Sequence, residues 1–403
     1  MNTATRAQTF DIDKAAGELL TRVRELQPLI RQHSAAGEAE RRVNQAVIDA
    51  LEEAGAFKVM IPRRYGGYET SMKTMLDLSS AIGEVDGGTA WVATLLNVCA
   101  WLTGLFPVAA QDEVFGADPN AKVSGVLAPT ATTRKVEGGL IVSGKWFYNS
   151  GSYWATWATL GVPIVNGAGE TVDQGLALIP SSALRIEDTW FVAGMAGSAS
   201  NCLIAEEVFV PDHRILSVPR AISGDYPTEA AARECLYRSA FVPILALVLV
   251  GPQLGLGRAA LEFVKSKAGQ KAISYTFLNQ QAQSTGFQLQ IAEAALLIDT
   301  AHLHAYRAAA DIDEAARSGV YPDELARARV RADTGLVADK ITRAIDILLS
   351  AHGAASFATS SPLQRIWRDS AVAARHAVVL PQVGYEVYGK ALLGIKEQIT
   401  PLI

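Results

Sequence analysis

The sequence predicts an α+β chain, mostly helical, in three parts. These are an N-terminal α-helical domain over residues 1–120, an antiparallel β-domain (barrel or sandwich) over 121–220, and a C-terminal four-helix bundle over 221–403. Two changes of pattern carry the prediction. Apolar residues recur at the helical spacing up to about residue 120, then yield to short runs rich in Val, Ile, Leu and aromatics with turns about every 8–12 residues. After residue 220 the helical spacing returns in long Ala/Leu-rich segments. A chain of 403 residues also exceeds what one simple core organises.

In the first part, Asp11 or Asp13 is placed to cap "KAAGELLTRVRELQPLIRQHSA". "AERRVNQAVIDALEEAGA" repeats the spacing and stops at Gly55, and "IPRRYGGYE" is a Pro/Gly turn. "SMKTMLDLSSAIGEVD" and "TAWVATLLNVCAWLTGLF" are two further helices, the second apolar all round and therefore buried. In the middle, "KVEGGLIVSGKWFYNSG" sets Gly138-Gly139 between strand-like runs, a hairpin signal. "TWATLGVPIV", "GLALIPSSALRIED" and "NCLIAEEVFVPDH" continue the strands. The bundle helices are expected over 229–266, 284–318, 322–353 and 361–389.

Composition narrows the function. Net charge is −5 with 36 basic and 41 acidic residues, and no Lys/Arg run marks a nucleic-acid footprint. The first twenty residues lack the apolar core of an export signal. "FVPILALVLVGPQLGLG", interrupted by Pro243 and Pro252, reads as a buried core helix and not a membrane span. Cys99, Cys202 and Cys235, odd in number and widely spaced, fit neither a disulfide framework nor a zinc site, and point to a cytoplasmic location. His302 and His304, two apart on one helix, do not share a face and are read as structural; no metal site is expected.

Four segments in order, "IPRRYGGYE", "VSGKWFYNSG", "VFVPDHRIL" and "GLGRAALEFV", resemble those of the acyl-CoA dehydrogenase fold. The dehydrogenase chemistry is a separate question. In that family a glutamate removes the α-proton. It stands eight residues after the Asp of an Arg-Asp pair, or seven before the Gly-Pro of the first bundle helix. Here those positions are Ala377, after Arg368-Asp369, and Ile244. The family's flavin-pyrophosphate arginine before a Phe-Gly is also missing, with Ser274 in its place before Phe277-Leu278. Neither Ala nor Ile can accept a proton, so the dehydrogenase reading is set second.

The chain more closely resembles the oxygenase components of two-component flavin-dependent monooxygenases of the p-hydroxyphenylacetate hydroxylase type. "PLQRIWRD" followed by His376, "GMAGSASNCLIAEEVFVP" and "CLYRSAFVP" carry the resemblance. It implies reduced FAD or FMN from a separate NAD(P)H–flavin reductase and O2 as co-substrate. A flavin C4a-hydroperoxide would then hydroxylate a small aromatic substrate in a homotetramer. It implies catalytic roles for His376, Ser150 and Arg238. Flavin contacts are implied for Trp146, Ser150, Gly151, Gly197, Ser198, Ser200, Arg238 and Gly353. Cys99, Trp101 and His376 would line the substrate pocket. With a pKa near 6.5, His376 would give or take a proton. Relatives acting on phenols carry a histidine where Cys99 stands, so an indole-like or polycyclic substrate fits better than a simple phenol. N- or S-oxygenation on the same fold remains an alternative. No Walker loop, dinucleotide glycine fingerprint or GxSxG elbow is present, in keeping with reduction by another protein.

Overall fold

The computed structural model describes residues 12–230 and 233–403; the capping role read for Asp11, and the first eleven residues of the stretch read for an export signal, lie outside them. Helices α1 (Ile12–Glu25), α2 (Gln27–Ala39), α3 (Gln45–Glu53), α4 (Met72–Gly83), α5 (Gly87–Gly104) and the short α6 (Val108–Gln111) precede the strands. The starts of α2 to α5 have local causes. Pro28 opens α2, and the Asn44, Ser71 and Asp86 side chains accept from the first turns of α3, α4 and α5.

Strands β1 (Val123–Val126), β2 (Ala131–Val136), β3 (Gly139–Asn149), β4 (Trp157–Val165), β5 (Thr171–Pro180), β6 (Arg185–Glu187), β7 (Asn201–Pro211) and β8 (Ile215–Ser217) form two four-stranded sheets, ordered β1-β4-β5-β8 and β2-β3-β7-β6. The β2–β3 hairpin turns at Glu137-Gly138. One expectation fails here: β1 pairs with β4 in parallel, so the first sheet is mixed. Val142, Trp146, Leu160, Ile179 and Leu203 fill the space between the sheets as a core of their own.

The later helices are α7 (Val218–Ile222), α8 (Phe241–Leu247), α9 (Gly251–Ala268), α10 (Thr285–Ser318), α11 (Glu324–His352), α12 (Pro362–Ala373) and α13 (Pro381–Leu392). Their apolar faces join those of α1–α5 in one continuous core. The apolar run 241–268 passes the length and hydropathy test for a membrane span, yet 78% of its most apolar window is buried inside the fold. Two predicted helices are broken. The 229–266 segment takes a 3-10 turn over Cys235–Arg238 and reaches α-helix at Phe241. The 361–389 segment is interrupted over residues 374–380. Pro381 explains the interruption: it has no N–H for the Ala377 carbonyl, its ring crowds that carbonyl, and it holds Leu380 extended, with ψ 117°. His376 therefore sits in a turn between two helices and not on a helix face.

Candidate active site

The site is built where the N-terminal end of α5 meets the end of β3, the loop 193–200 and the turn 374–380. The Trp91 indole donates to Ser150 Oγ at 3.1 Å. Ser150 Oγ lies 2.7 Å from Ser200 Oγ, which lies 2.7 Å from Ser198 Oγ. All four residues are buried. A hydroxyl has one proton and two lone pairs, so Ser150 can accept from Trp91 and Ser200 at once and keep its own O–H for a ligand. Reversed, the chain lets Ser150 accept from a ligand and pass its proton toward Ser198. On its other side the Trp91 ring faces His376, centroids 5.9 Å apart.

Backbone strain collects around these hydroxyls. Tyr148, Met195 and Ala199 have φ of 67°, 56° and 48°, a region L-residues avoid. Gly151, at φ 75°, turns the chain so that its N–H donates to the Ser198 carbonyl at 3.1 Å. Asp369 and Arg368 hold the loop from behind. Asp369 Oδ1 accepts from Met195 N at 2.6 Å, and Arg368 donates to Glu38 at 2.5 Å and closely to the Ala193 carbonyl. Gly194 admits this approach, since a Cβ there would fall 2.2 Å from the Arg368 carbonyl oxygen. Asp369 is almost fully buried, and burial, followed by the nearby Asp86 carboxyl, pushes its pKa up to about 7.

His376 is exposed on its own chain, yet protein surrounds it closely enough that burial, and then the Arg331 charge, push its pKa down to about 4. The ring is open to solvent on one side and faces Trp91 on another. The lowered pKa corrects the expectation of an ordinary one: the imidazole is neutral at pH 7. Val378 N donates to His376 Nδ1 at 3.3 Å, which leaves the proton of the neutral ring on Nε2. His376 is thus a hydrogen-bond donor in the open site, and a weak base.

Other expected site residues go elsewhere. Trp146 points between the two sheets and donates to the Gly161 carbonyl at 2.8 Å, because its strand alternation turns it inward. Trp101 is a core residue, donating to the Leu236 carbonyl at 3.1 Å beside Phe241. Cys99 lies against Gly125 of β1 and Thr159 of β4, and burial pushes its thiol up to about 12. Arg238 donates to the Ala316 carbonyl at 2.8 Å and to Cys235 Sγ at 2.9 Å, tying the 3-10 turn 235–238 to the end of α10 rather than to the serine chain. Gly353 ends α11, with open space where a Cβ would stand. Gly197 stays in the site, packed on Gly88. His304 pairs with Asp333 at 2.8 Å and His302 with the Ile298 carbonyl at 2.9 Å. Among the described residues no cluster of three metal-ligating side chains occurs. Residues that sequence reasoning did not single out are Trp91, Asn149, Arg331 and the loop-holding role of Asp369.

Comparison with known proteins establishes the family. Residues 18–113 match the acyl-CoA dehydrogenase N-terminal domain and residues 247–381 its C-terminal domain. Oxygenase subunit HsaA of a flavin-dependent monooxygenase from Rhodococcus jostii is 32% identical over 378 residues, 93% of this chain and 98% of that one. The chain belongs to the oxygenase components of flavin-dependent monooxygenases. An FADH2-dependent resorcinol hydroxylase oxygenase component from a Rhizobium species is 29% identical over 98% of this chain and 99% of its own. The structure of XiaF from a Streptomyces species, in complex with FADH2 and glycerol, superposes with a TM-score of 0.92 at 35% identity, covering 97% of this chain and 98% of that one.

The residues present fit the flavin of such an oxygenase. Asn149 is wholly buried beside Ser150, and neither its amide nitrogen nor its oxygen has a partner. An amide offers both a donor and an acceptor, which suits the alternating edge of a flavin ring. Ser150 and Asn149 are the groups that would hold it.

Proposed function

We propose that this oxygenase component takes reduced FAD or FMN from a separate NAD(P)H–flavin reductase and uses O2 to hydroxylate an aromatic substrate. The observation that carries the reading is the Trp91–Ser150–Ser200–Ser198 chain ending beside His376, where the dehydrogenase positions hold Ala377 and Ile244 and no base. When bound, the reduced flavin supplies the two electrons that activate O2, one oxygen atom going to product and the other to water. Ser150 orients and shields the reacting edge with its O–H. The buried serines exclude bulk water, which would otherwise divert the oxygen to H2O2. His376 Nε2–H supplies a hydrogen bond to oxygen at the opposite wall.

With a cysteine at position 99, α5 offers no imidazole there for a phenolic oxygen, which supports an indole-like or polycyclic aromatic. The relatives include indole-3-acetate monooxygenases, 28% identical in Pseudomonas putida. Exposed Leu289, Leu296 and Leu303 repeat every seven residues along α10, with Tyr275 and Phe277 fully exposed in the loop before it. That face supports a homotetramer, and three free cysteines support a reducing cytoplasm. The test mixes the protein with chemically reduced FAD or FMN, O2 and candidate aromatics, and counts product against H2O2. Coupled product formation with at least one flavin is expected; complete release as H2O2 with every aromatic, alongside reduction of bound oxidised flavin by an acyl-CoA, would overturn it.

A further inference from the structure

Arg331 of α11 is 3% exposed, and its charge has no counterpart: among the described residues no carboxylate pairs with it, and its Nε is buried without a partner. Its hydrogen bond to protein is NH1 to the Val378 carbonyl, at 2.9 Å. Neighbouring arginines are treated differently. Arg329 pairs with Asp311 at 2.7 Å, Arg307 pairs with Asp333 at 2.5 Å, and Arg327 reaches the Ile403 carbonyl at 3.1 Å. A guanidinium does not shed its proton at ordinary pH, so burying one without an anion is among the costlier arrangements a core can hold.

Its position says what would complete it. Val378, whose carbonyl accepts from Arg331, donates through its own N–H to His376 Nδ1. One residue, Val378, thus joins the buried cation to the imidazole. Arg331 is the charged group that acts on His376; Trp91, facing the ring from α5, carries no charge.

We propose that Arg331 is the anion-recognition residue of the substrate site, and that the aromatic substrate carries an acidic group, a carboxylate or an ionised hydroxyl, that pairs with it. This rests on the oxygenase reading above and adds the chemical class of substrate. The anion that fills the site also offsets the Arg331 charge, which after burial is the second cause of the lowered His376 pKa, so substrate binding is coupled to proton uptake at the imidazole.

The test uses flavin-free protein and two isosteric pairs, indole-3-acetate with indole-3-acetamide and naphthalene-2-carboxylate with its carboxamide, titrated calorimetrically in two buffers of different ionisation enthalpy at pH 5. At least one carboxylate is expected to bind roughly tenfold to a hundredfold more tightly than its amide, the range for a charge-assisted pair. Its binding should take up protons, and His376→Ala should abolish the uptake. Arg331→Gln should erase the preference while leaving amide binding unchanged, and Arg331→Lys should keep part of it. Equal binding within both pairs, no carboxylate binding, or a preference that survives Arg331→Gln overturns the proposal. So does a variant that weakens reduced-flavin binding alone, which would assign the cation to the cofactor. If Arg331→Gln does not fold, the wild-type preference and its proton uptake decide. None of these outcomes depends on oxygen transfer, so the oxygenase reading stands or falls separately.

Discussion

Replacing Asp369 with Asn is expected to change how stability varies with pH. Asp369 is nearly fully buried with a pKa of about 7 against an unfolded value of 3.8. A carboxyl raised in this way favours folding while protonated. The contribution is present in full below pH 3.8 and is lost as pH rises through about 7. Between pH 5 and pH 8 the loss spans roughly two units, or about 2–3 kcal/mol at ~1.4 kcal/mol per unit. Asn keeps the oxygen that accepts from Met195 N but cannot ionise. Any penalty from burying its amide nitrogen is the same at both pH values and drops out of the comparison. Urea unfolding of the flavin-free protein at pH 5 and pH 8 measures the gap. Asp369→Asn should be more stable relative to wild type at pH 8 than at pH 5 by about 2–3 kcal/mol. Parallel profiles for the two proteins would show that Asp369 is ionised at pH 5 or charged at no cost, and would refute the reasoning.

Ser150→Ala should lower product per O2 and raise H2O2 release with little change in stability, a shift read by peroxide assay. Trp91→Phe keeps the ring against His376 but removes the 3.1 Å donor to Ser150, so it should uncouple the reaction less than Ser150→Ala does. In the flavin-free protein, His376 should titrate near pH 4 by NMR, with its neutral form protonated on Nε2; a titration near 6.5 would contradict the crowding of the ring and the nearby Arg331 charge. Thiol reagents at pH 8 should modify exposed Cys235 quickly and leave buried Cys99 and Cys202 intact until unfolding.

The alternation of helix, strand and helix was legible because hydrophobic period changes twice along the chain, and period survives any tertiary context. The break at residues 374–380 was not, because Ala, Val and Arg suit a helix as well as a turn. Pro381 was the available signal, and it outweighs propensity over a whole turn. Ser150, Ser198, Ser200 and His376 were legible through family resemblance. Trp146 and Trp101 misled because an indole fills a core and a ligand pocket equally well; only strand alternation and helix face decide which. Trp91 acts on a serine 59 residues away, a contact no local pattern announces. Arg327, Arg329 and Arg331 alternate with Ala and Val, and nothing in that spacing says which guanidinium is buried alone.

Pro381 packs against Gly335 of α11, and Gly384 against the Arg331 carbonyl, with no room for a side chain at either glycine. The imidazole and the guanidinium therefore ride on one seam between α11 and α13. A bulkier residue at Gly335 or Gly384 would wedge α11 and α13 apart, widening the gap between the guanidinium on α11 and the imidazole in the turn that leads into α13. Altering substrate reach without touching a reacting group becomes a matter of helix separation, set by two glycines some distance from the oxygen chemistry.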